Sequence, residues 1–180
     1  TTREADELSL LLRAVADAGD ANRLRAALAT QLLGLGGAQI QALGRDESSW
    51  QAMQDQVRDW RMDWETGGVL RMLRAVLAWR PTADDPSRLA RLLSLPDGER
   101  RVSNINHLAE LLQAASSDHQ LGPAALIRWF DQRRLSDAQP GDATQLRLES
   151  DEHAVKLVTI HRSKGLQYPI VYCPTLWDGA

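Results

Sequence analysis

The chain has 180 residues, of which 43% are hydrophobic and 25% are charged, and its formal net charge is −3. This composition is typical of a folded globular protein and argues against a disordered chain. The small negative charge excludes binding of nucleic acid through the field of the whole molecule. Any DNA contact must therefore come from a local arrangement of residues.

The composition also indicates the cellular location of the protein and the role of its basic side chains. No apolar run approaches the about 20 residues that a membrane-spanning helix needs. The single cysteine, Cys173, cannot form an internal disulfide, which predicts a reducing, cytoplasmic location. Only Lys156 and Lys164 of the 21 basic residues are lysines. Since arginine pairs with carboxylates and phosphates alike, we interpret the arginines before residue 140 mainly as parts of solvated helix faces.

Residues 1 to about 135 predict a succession of helices, because apolar residues recur there with the spacing of one helical face. A first helix is indicated around Leu8 and Val15. A second is indicated through Leu33 and is expected to end at the glycines that begin with Gly34. Five further apolar segments each predict a helix. They are Trp50 to Trp64, which is expected to end at Gly67 and Gly68, Val69 to Leu77, Leu89 to Leu93 after Pro86, Ile105 to Leu112, and Leu126 to Phe130 after Pro123.

Six tryptophans could be a platform for stacking the bases of single-stranded DNA. However, Trp50, Trp60 and Trp64 share one helical face with Met53 and Val57, which is the pattern of a packed core. We therefore interpret these rings as core or interhelical contacts.

The character of the chain changes after a turn-rich linker at 136–144. Residues 154–160 and 169–173 are short, nearly continuous apolar runs rich in β-branched residues, which is typical of strands in a covered parallel sheet. Two strands do not make a stable sheet alone. The predicted fold is therefore mainly α, a helical bundle with a C-terminal strand–loop–strand stub of an α/β domain that we expect to be part of a larger one.

The loop between the two predicted strands carries the candidate chemistry. Thr159 and His161 come at the carboxyl end of the first strand, where ligands bind in open α/β sheets. Lys164 and Gly165 follow. A hydroxyl, an imidazole, a cation and a glycine that permits close backbone approach are suited to contact phosphate groups.

The segment 155–171, which reads VKLVTIHRSKGLQYPIV, resembles motif V of the UvrD/RecB superfamily 1 helicases. The residues on either side of it, and weaker matches upstream, resemble the RecB type in particular. On this resemblance, residues 1–140 correspond to a helical 2B-like accessory domain and residues 141–180 to part of the 2A-like motor domain that contains motif V.

The resemblance implies a fragment of an ATP-dependent DNA helicase–exonuclease that acts on duplex ends in double-strand-break repair and recombination. The parent enzyme would use ATP and Mg²⁺, bind single-stranded DNA and duplex ends, and work with RecC-like and RecD-like subunits. Motif V implies DNA contacts for Thr159, His161 and Lys164, and nucleotide contacts for Gly165 and Gln167. The family has Glu at the last of these positions, so the ribose contact there would lack a charge that strengthens it.

Other sites are not indicated. No G-x-x-x-x-G-K-[ST] phosphate loop occurs, and we expect no catalytic residue in this fragment and no activity from it alone. The acidic pair at 151–152 is interpreted as a strand-entry turn, not as a helicase acidic box. The histidines lack metal-ligand spacing, and His107 and His119 are predicted to be surface or capping residues. Two alternatives remain: another superfamily 1 helicase of the AddA or UvrD type, or a non-catalytic helical interaction module with a degenerate motif V.

Overall fold

The structure, a computed structural model, describes residues 2–136, which form seven α-helices. No helix in this part of the chain is long and apolar enough to cross a membrane. In chain order the helices are α1 (Arg3–Ala16), α2 (Ala21–Leu28), α3 (Gly37–Arg45), α4 (Glu47–Ala78), α5 (Arg88–Leu93), α6 (Gly98–Asp118) and α7 (Pro123–Ser136). The predicted mainly α fold is confirmed. The predicted strands at 154–160 and 169–173, and the domain boundary at 140/141, lie outside the described residues.

Helix α1 is the centre of the assembly and packs against α2, α4, α6 and α7. Thr2 caps its N-terminus, because the Thr2 hydroxyl accepts a hydrogen bond from the backbone N–H of Ala5. The predicted apolar face, including Leu8 and Val15, is fully buried. Burial of this face against four other helices fixes the helix, since isolated helices of this length are marginal in water.

The second helix ends earlier than its apolar pattern predicts. It ends at Leu28, and Leu32 and Leu33 lie in the turns that follow, although both are fully buried. The reason is tertiary: the Glu7 carboxylate accepts the N–H of Leu32, and Arg88 donates to the carbonyl of Leu33. These partners replace the helical hydrogen bonds that a longer α2 would form.

The predicted end at Gly67 and Gly68 is a kink inside α4. Gly68 has φ 79° and ψ 179°, a backbone conformation outside the helical region. The residues on both sides of it are helical. A Cβ atom at Gly68 would lie 2.3 Å from Oε1 of Gln113 in α6. Glycine thus permits both the positive φ and the close approach of α6.

The tryptophans in this region belong to the core, as predicted. Trp60 and Trp64 are buried in α4, and Trp50 is half-buried beneath the guanidinium of Arg25. Trp60 meets Trp79 edge to face, with ring centroids 5.4 Å apart, a favourable geometry for aromatic pairs. Buried rings cannot stack on the bases of a DNA strand.

Candidate functional site

The predicted DNA-binding residues Thr159, His161 and Lys164 lie outside the described residues. So do the predicted nucleotide-binding residues Gly165 and Gln167. Their assignments stay predictions. Within residues 2–136 no group of histidine, cysteine and acidic residues could hold a metal ion. His119 is exposed and caps the C-terminus of α6, as predicted, whereas His107 is half-buried in the middle of α6.

Charged side chains are buried where α1 meets α6, which the sequence reasoning missed. Arg101 of α6 is 1% exposed, and Glu4 and Glu7 of α1 are nearly as well covered. Nε of Arg101 lies 3.3 Å from Oε1 of Glu4, and Nη2 lies 3.2 Å from Oε2 of Glu7. One guanidinium thus lies between two carboxylates from successive turns of α1. Its Nη2 donates to Glu7, whereas its Nε forms an ion pair with Glu4 without hydrogen-bond geometry.

Polar neighbours complete this buried cluster. Arg101 also donates to the side-chain carbonyl of Gln31, and the amide of Asn104 donates to Glu4 over 3.4 Å. The Glu7 carboxylate accepts the N–H of Leu32 over 2.9 Å. The buried cluster therefore joins α1, α6 and the turn segment 29–36, and each carboxylate has at least two partners, as a buried charge requires.

A helical-period signal for this cluster was present in the sequence. Glu4 lies four residues before Leu8, Glu7 lies four before Leu11, and Arg101 lies four before Ile105. Extending each apolar face one turn towards the N-terminus would have placed these charges on the buried side. The interpretation of the arginines as solvated is accordingly wrong for Arg101.

Two arginines of α5 hold the turn segment 29–36 from the other side. Arg88, which is 3% exposed, donates to the carbonyl of Leu33 over 2.6 Å, and Arg91 donates to the carbonyl of Gln31 over 2.7 Å. Burial lowers the pKa of Arg88, and the nearby cation of Arg91 lowers it further, while Asp85 opposes both effects. An arginine stays protonated despite such a shift, so it serves as a permanent donor to backbone carbonyls. The solvated interpretation is therefore wrong for Arg88 as well.

A second polar cluster joins the first and last described helices. Asp131 of α7 accepts hydrogen bonds from Ser9 over 2.9 Å and from Arg134 over 3.1 Å, and it pairs with Arg13. Arg134 also pairs with Asp6. We call this set the α1–α7 clasp. It joins the first and the last helix of residues 2–136.

Comparison with known proteins gives the family. Residues 37–180 match the family described as UvrD-like helicase C-terminal domain. The chain belongs to this family. It is 41% identical over 173 residues to the RecBCD enzyme subunit RecB of Escherichia coli, and 37% identical over 172 residues to that of Haemophilus influenzae. Each alignment covers 96% of this chain, so the sequence is of the RecB type within the UvrD/RecB superfamily.

The extent of these matches distinguishes the relatives. The chain spans 14% of the length of the Escherichia coli protein and 13% of that from Haemophilus influenzae. An ATP-dependent helicase/nuclease protein from Leuconostoc mesenteroides is 35% identical, but over only 51% of this chain. Similarity to these two RecB proteins thus extends through the helical region, whereas similarity to the Leuconostoc mesenteroides protein covers about half of the chain.

Proposed function

We propose that this chain is part of an ATP-dependent DNA helicase–exonuclease subunit of the RecB type, which unwinds and degrades duplex DNA ends in double-strand-break repair and recombination. The parent enzyme would act in the cytoplasm with ATP, Mg²⁺ and RecC-like and RecD-like subunits. The observation that carries the proposal is the 41% identity to a RecB subunit over 96% of the chain. The segment 155–171, with its resemblance to motif V, lies inside the range that matches the helicase family.

In this proposal the motif V residues link the two ligands of the motor. Thr159, His161 and Lys164 would contact the phosphates of single-stranded DNA, while Gly165 and Gln167 would contact the nucleotide. A segment that contacts both ligands can make the grip on DNA depend on the nucleotide state. The chain would have no activity alone, because it contains no phosphate loop.

The helical region fits the role of an accessory domain. Helices α1 and α7 pack against each other and are joined through Asp131 and Arg134. A domain whose first and last helices are fastened together is able to move as one unit relative to a motor domain. The buried cluster around Arg101 gives that unit a rigid centre.

The experiment replaces motif V residues in the full-length parent enzyme and measures both ligands. We expect Thr159→Ala and His161→Ala to weaken binding of single-stranded DNA by about tenfold or more, since a lost hydrogen bond to a charged group is worth about 1.5–3 kcal/mol. The loss should be similar for different DNA sequences, because backbone contacts read no bases. ATP affinity without DNA should stay the same.

Gln167→Glu is the matched variant on the nucleotide side. It should change ATP affinity or turnover while DNA affinity stays the same. A His161→Ala enzyme with normal stability and normal DNA-stimulated ATP hydrolysis would contradict the assignment of this loop. A full-length enzyme that hydrolyses no ATP would contradict the proposed function itself and favour the non-catalytic interaction module.

A further inference from the structure

A cleft of about 520 Å³ opens on the surface where α4, α5 and α6 meet. Four of its lining residues are apolar, namely Leu77, Ala78, Leu89 and Val102. The other four are Arg74, Arg80, Ser87 and Asn106. The lining therefore combines an apolar floor with two cations and contains no carboxylate.

Helix α5 extends the apolar surface beside this cleft. Its inner face is formed by Arg88 and Leu92, which are buried. Leu89 and Leu93, four residues apart, are on its outer face and are 36% and 47% exposed. Two of the five large exposed hydrophobic residues in the described part of the chain are thus neighbours on one short helix. The two leucines therefore add neighbouring apolar side chains to the surface of α5.

The two rim cations are available to a partner. Arg74 is exposed, and no described carboxylate lies within ion-pair distance of it. Arg80 is also exposed and donates to the backbone carbonyl of Asp85 over 3.3 Å, which leaves its charge without a paired anion among the described residues. By contrast, Arg58, Arg61 and Arg71 on the same helix each pair with an acidic residue. The two arginines are thus the charged side chains that line the cleft; Asp85 lies beside Arg80, and the whole chain has a net charge of −3.

We propose that this cleft docks an acidic amphipathic helix of a partner protein. The apolar stripe of such a helix would cover Leu77, Leu89 and Val102, and glutamate or aspartate beside the stripe would pair with Arg74 and Arg80. This is the helix-in-groove mode of recognition, in which apolar side chains supply affinity and the charged rim supplies orientation and selectivity.

The lining distinguishes this partner from a nucleic acid or a small molecule. Single-stranded DNA is bound by several cations and by aromatic rings on which bases stack, whereas this lining has two cations and no aromatic residue. Small-molecule sites enclose most of their ligand. Here Arg74, Ala78, Arg80, Leu89 and Asn106 are all exposed, so the cleft is shallow and suits the surface of another macromolecule.

The test uses the whole 180-residue chain and three fluorescent probes in an anisotropy titration. The first probe is a peptide of about 18 residues, long enough to form a helix in a groove, with leucine at helical spacing and flanking glutamates. The second has lysine in place of each glutamate, and the third is an oligo(dT) strand. We expect the acidic peptide to bind and the other two to bind at least about tenfold more weakly.

Four variants locate the binding. Leu89→Asp should weaken the acidic peptide by about tenfold, as expected for the loss of an apolar anchor. Arg74→Glu should weaken it by about fivefold and should strengthen binding of the lysine peptide. The matched controls are Leu10→Asp on α1, where Leu10 is 40% exposed, and Arg128→Glu on α7, where Arg128 is exposed; both should bind like the unmodified chain. Circular dichroism checks that all four variants keep their helices.

The proposal is overturned by any of three results. These are absence of acidic-peptide binding, equal binding of the acidic and lysine peptides, and an equal loss of binding in the control variants. Preferential binding of oligo(dT) that disappears in Arg74→Glu would also overturn it and would assign the cleft to nucleic acid.

Discussion

The ion pairs along α4 and the ion pairs between α1 and α6 have similar lengths and very different surroundings. Arg61 and Glu65 are 2.9 Å apart on α4, one helical turn from each other, and both are more than 40% exposed. Arg101 and Glu7 are 3.2 Å apart, 94 residues from each other in the chain, and both are less than 10% exposed. The exposed pair lies on the surface of a single helix. The buried pair joins two different helices, α1 and α6.

Distance alone does not determine how much a polar contact stabilises this molecule. An exposed pair on one helix contributes about 0.3–0.5 kcal/mol, because water screens it and two long side chains lose freedom. A buried pair gains more Coulomb energy but costs more desolvation, so its net contribution to stability is small. Removing one partner is nevertheless strongly destabilising, because the other charge is left buried without compensation. Removing any one charged member of the buried cluster should therefore destabilise the fold.

Two adjacent arginines of α6 give the largest expected difference between a buried and an exposed ion pair. Arg101→Met removes the cation and leaves Glu4 and Glu7 buried without it, so we expect the free energy of unfolding to fall by about 3–5 kcal/mol. Arg100, its neighbour, is exposed and pairs with Asp97, the residue that immediately precedes α6. Arg100→Met should change the free energy of unfolding by less than about 0.5 kcal/mol. Urea unfolding followed by circular dichroism measures both variants, and equal losses would show that burial does not separate the two kinds of pair.

The same comparison explains what the sequence could predict. Helical periodicity predicted the mainly α fold and placed Leu8, Leu108 and the tryptophans of α4 in the core, because apolar spacing is a local property. It predicted a break at Gly67 and Gly68 and a new helix from Val69, but not that the two segments form one kinked helix, since the close approach of Gln113 comes from another helix. It also extended α2 to Leu33, because the partners that end that helix come from Glu7 and from Arg88.

Of the two candidate sites, one could be found from the sequence and the other could not. The motif V segment 155–171 was identified from residue order alone, because it is a continuous string whose family pattern is specific. The cleft at α4, α5 and α6 was not predicted, since Arg74, Leu89 and Val102 come from three separate helices. Sequence spacing within one helix carries no information about which helices will be neighbours.

A second prediction tests whether the turn segment 29–36 requires glycine at position 34. Gly34 has φ 68°, and a Cβ atom there would lie 2.0 Å from the guanidinium carbon of Arg91. Gly34→Ala should therefore strain the backbone and displace Arg91 from the carbonyl of Gln31, with a loss of about 1–3 kcal/mol in the free energy of unfolding. Gly37→Ala is the control, because nothing lies within 4 Å of its added Cβ and Gly37 begins α3. Equal stability of the two variants in the urea experiment would contradict this account of the turn.

The smallest expected effect concerns the α1–α7 clasp, and it tests whether half-buried long-range contacts behave like the buried cluster or like the surface pairs. Asp131 is half-buried and receives hydrogen bonds from Ser9 and Arg134. Asp131→Ala should lower the free energy of unfolding by about 1 kcal/mol, less than for Arg101→Met because water reaches the clasp. Asp55→Ala is the matched control, since Asp55 pairs with Arg58 on the exposed face of α4.

Hydrogen exchange separates the two outcomes for the clasp more finely than unfolding does. If the clasp fastens α7 to α1, the amides of α7 in Asp131→Ala should exchange faster while those of α4 keep their rates, because a local opening has become easier. Asp55→Ala should leave the rates of α7 unchanged. Unchanged α7 rates in Asp131→Ala would mean that the apolar contacts of Leu126, Ile127 and Phe130, together with the remaining pair of Arg134 and Asp6, hold α7 without Asp131. The long-range polar contacts that matter for stability would then be those of the buried cluster around Arg101 and those of Arg88 and Arg91 with the turn segment 29–36.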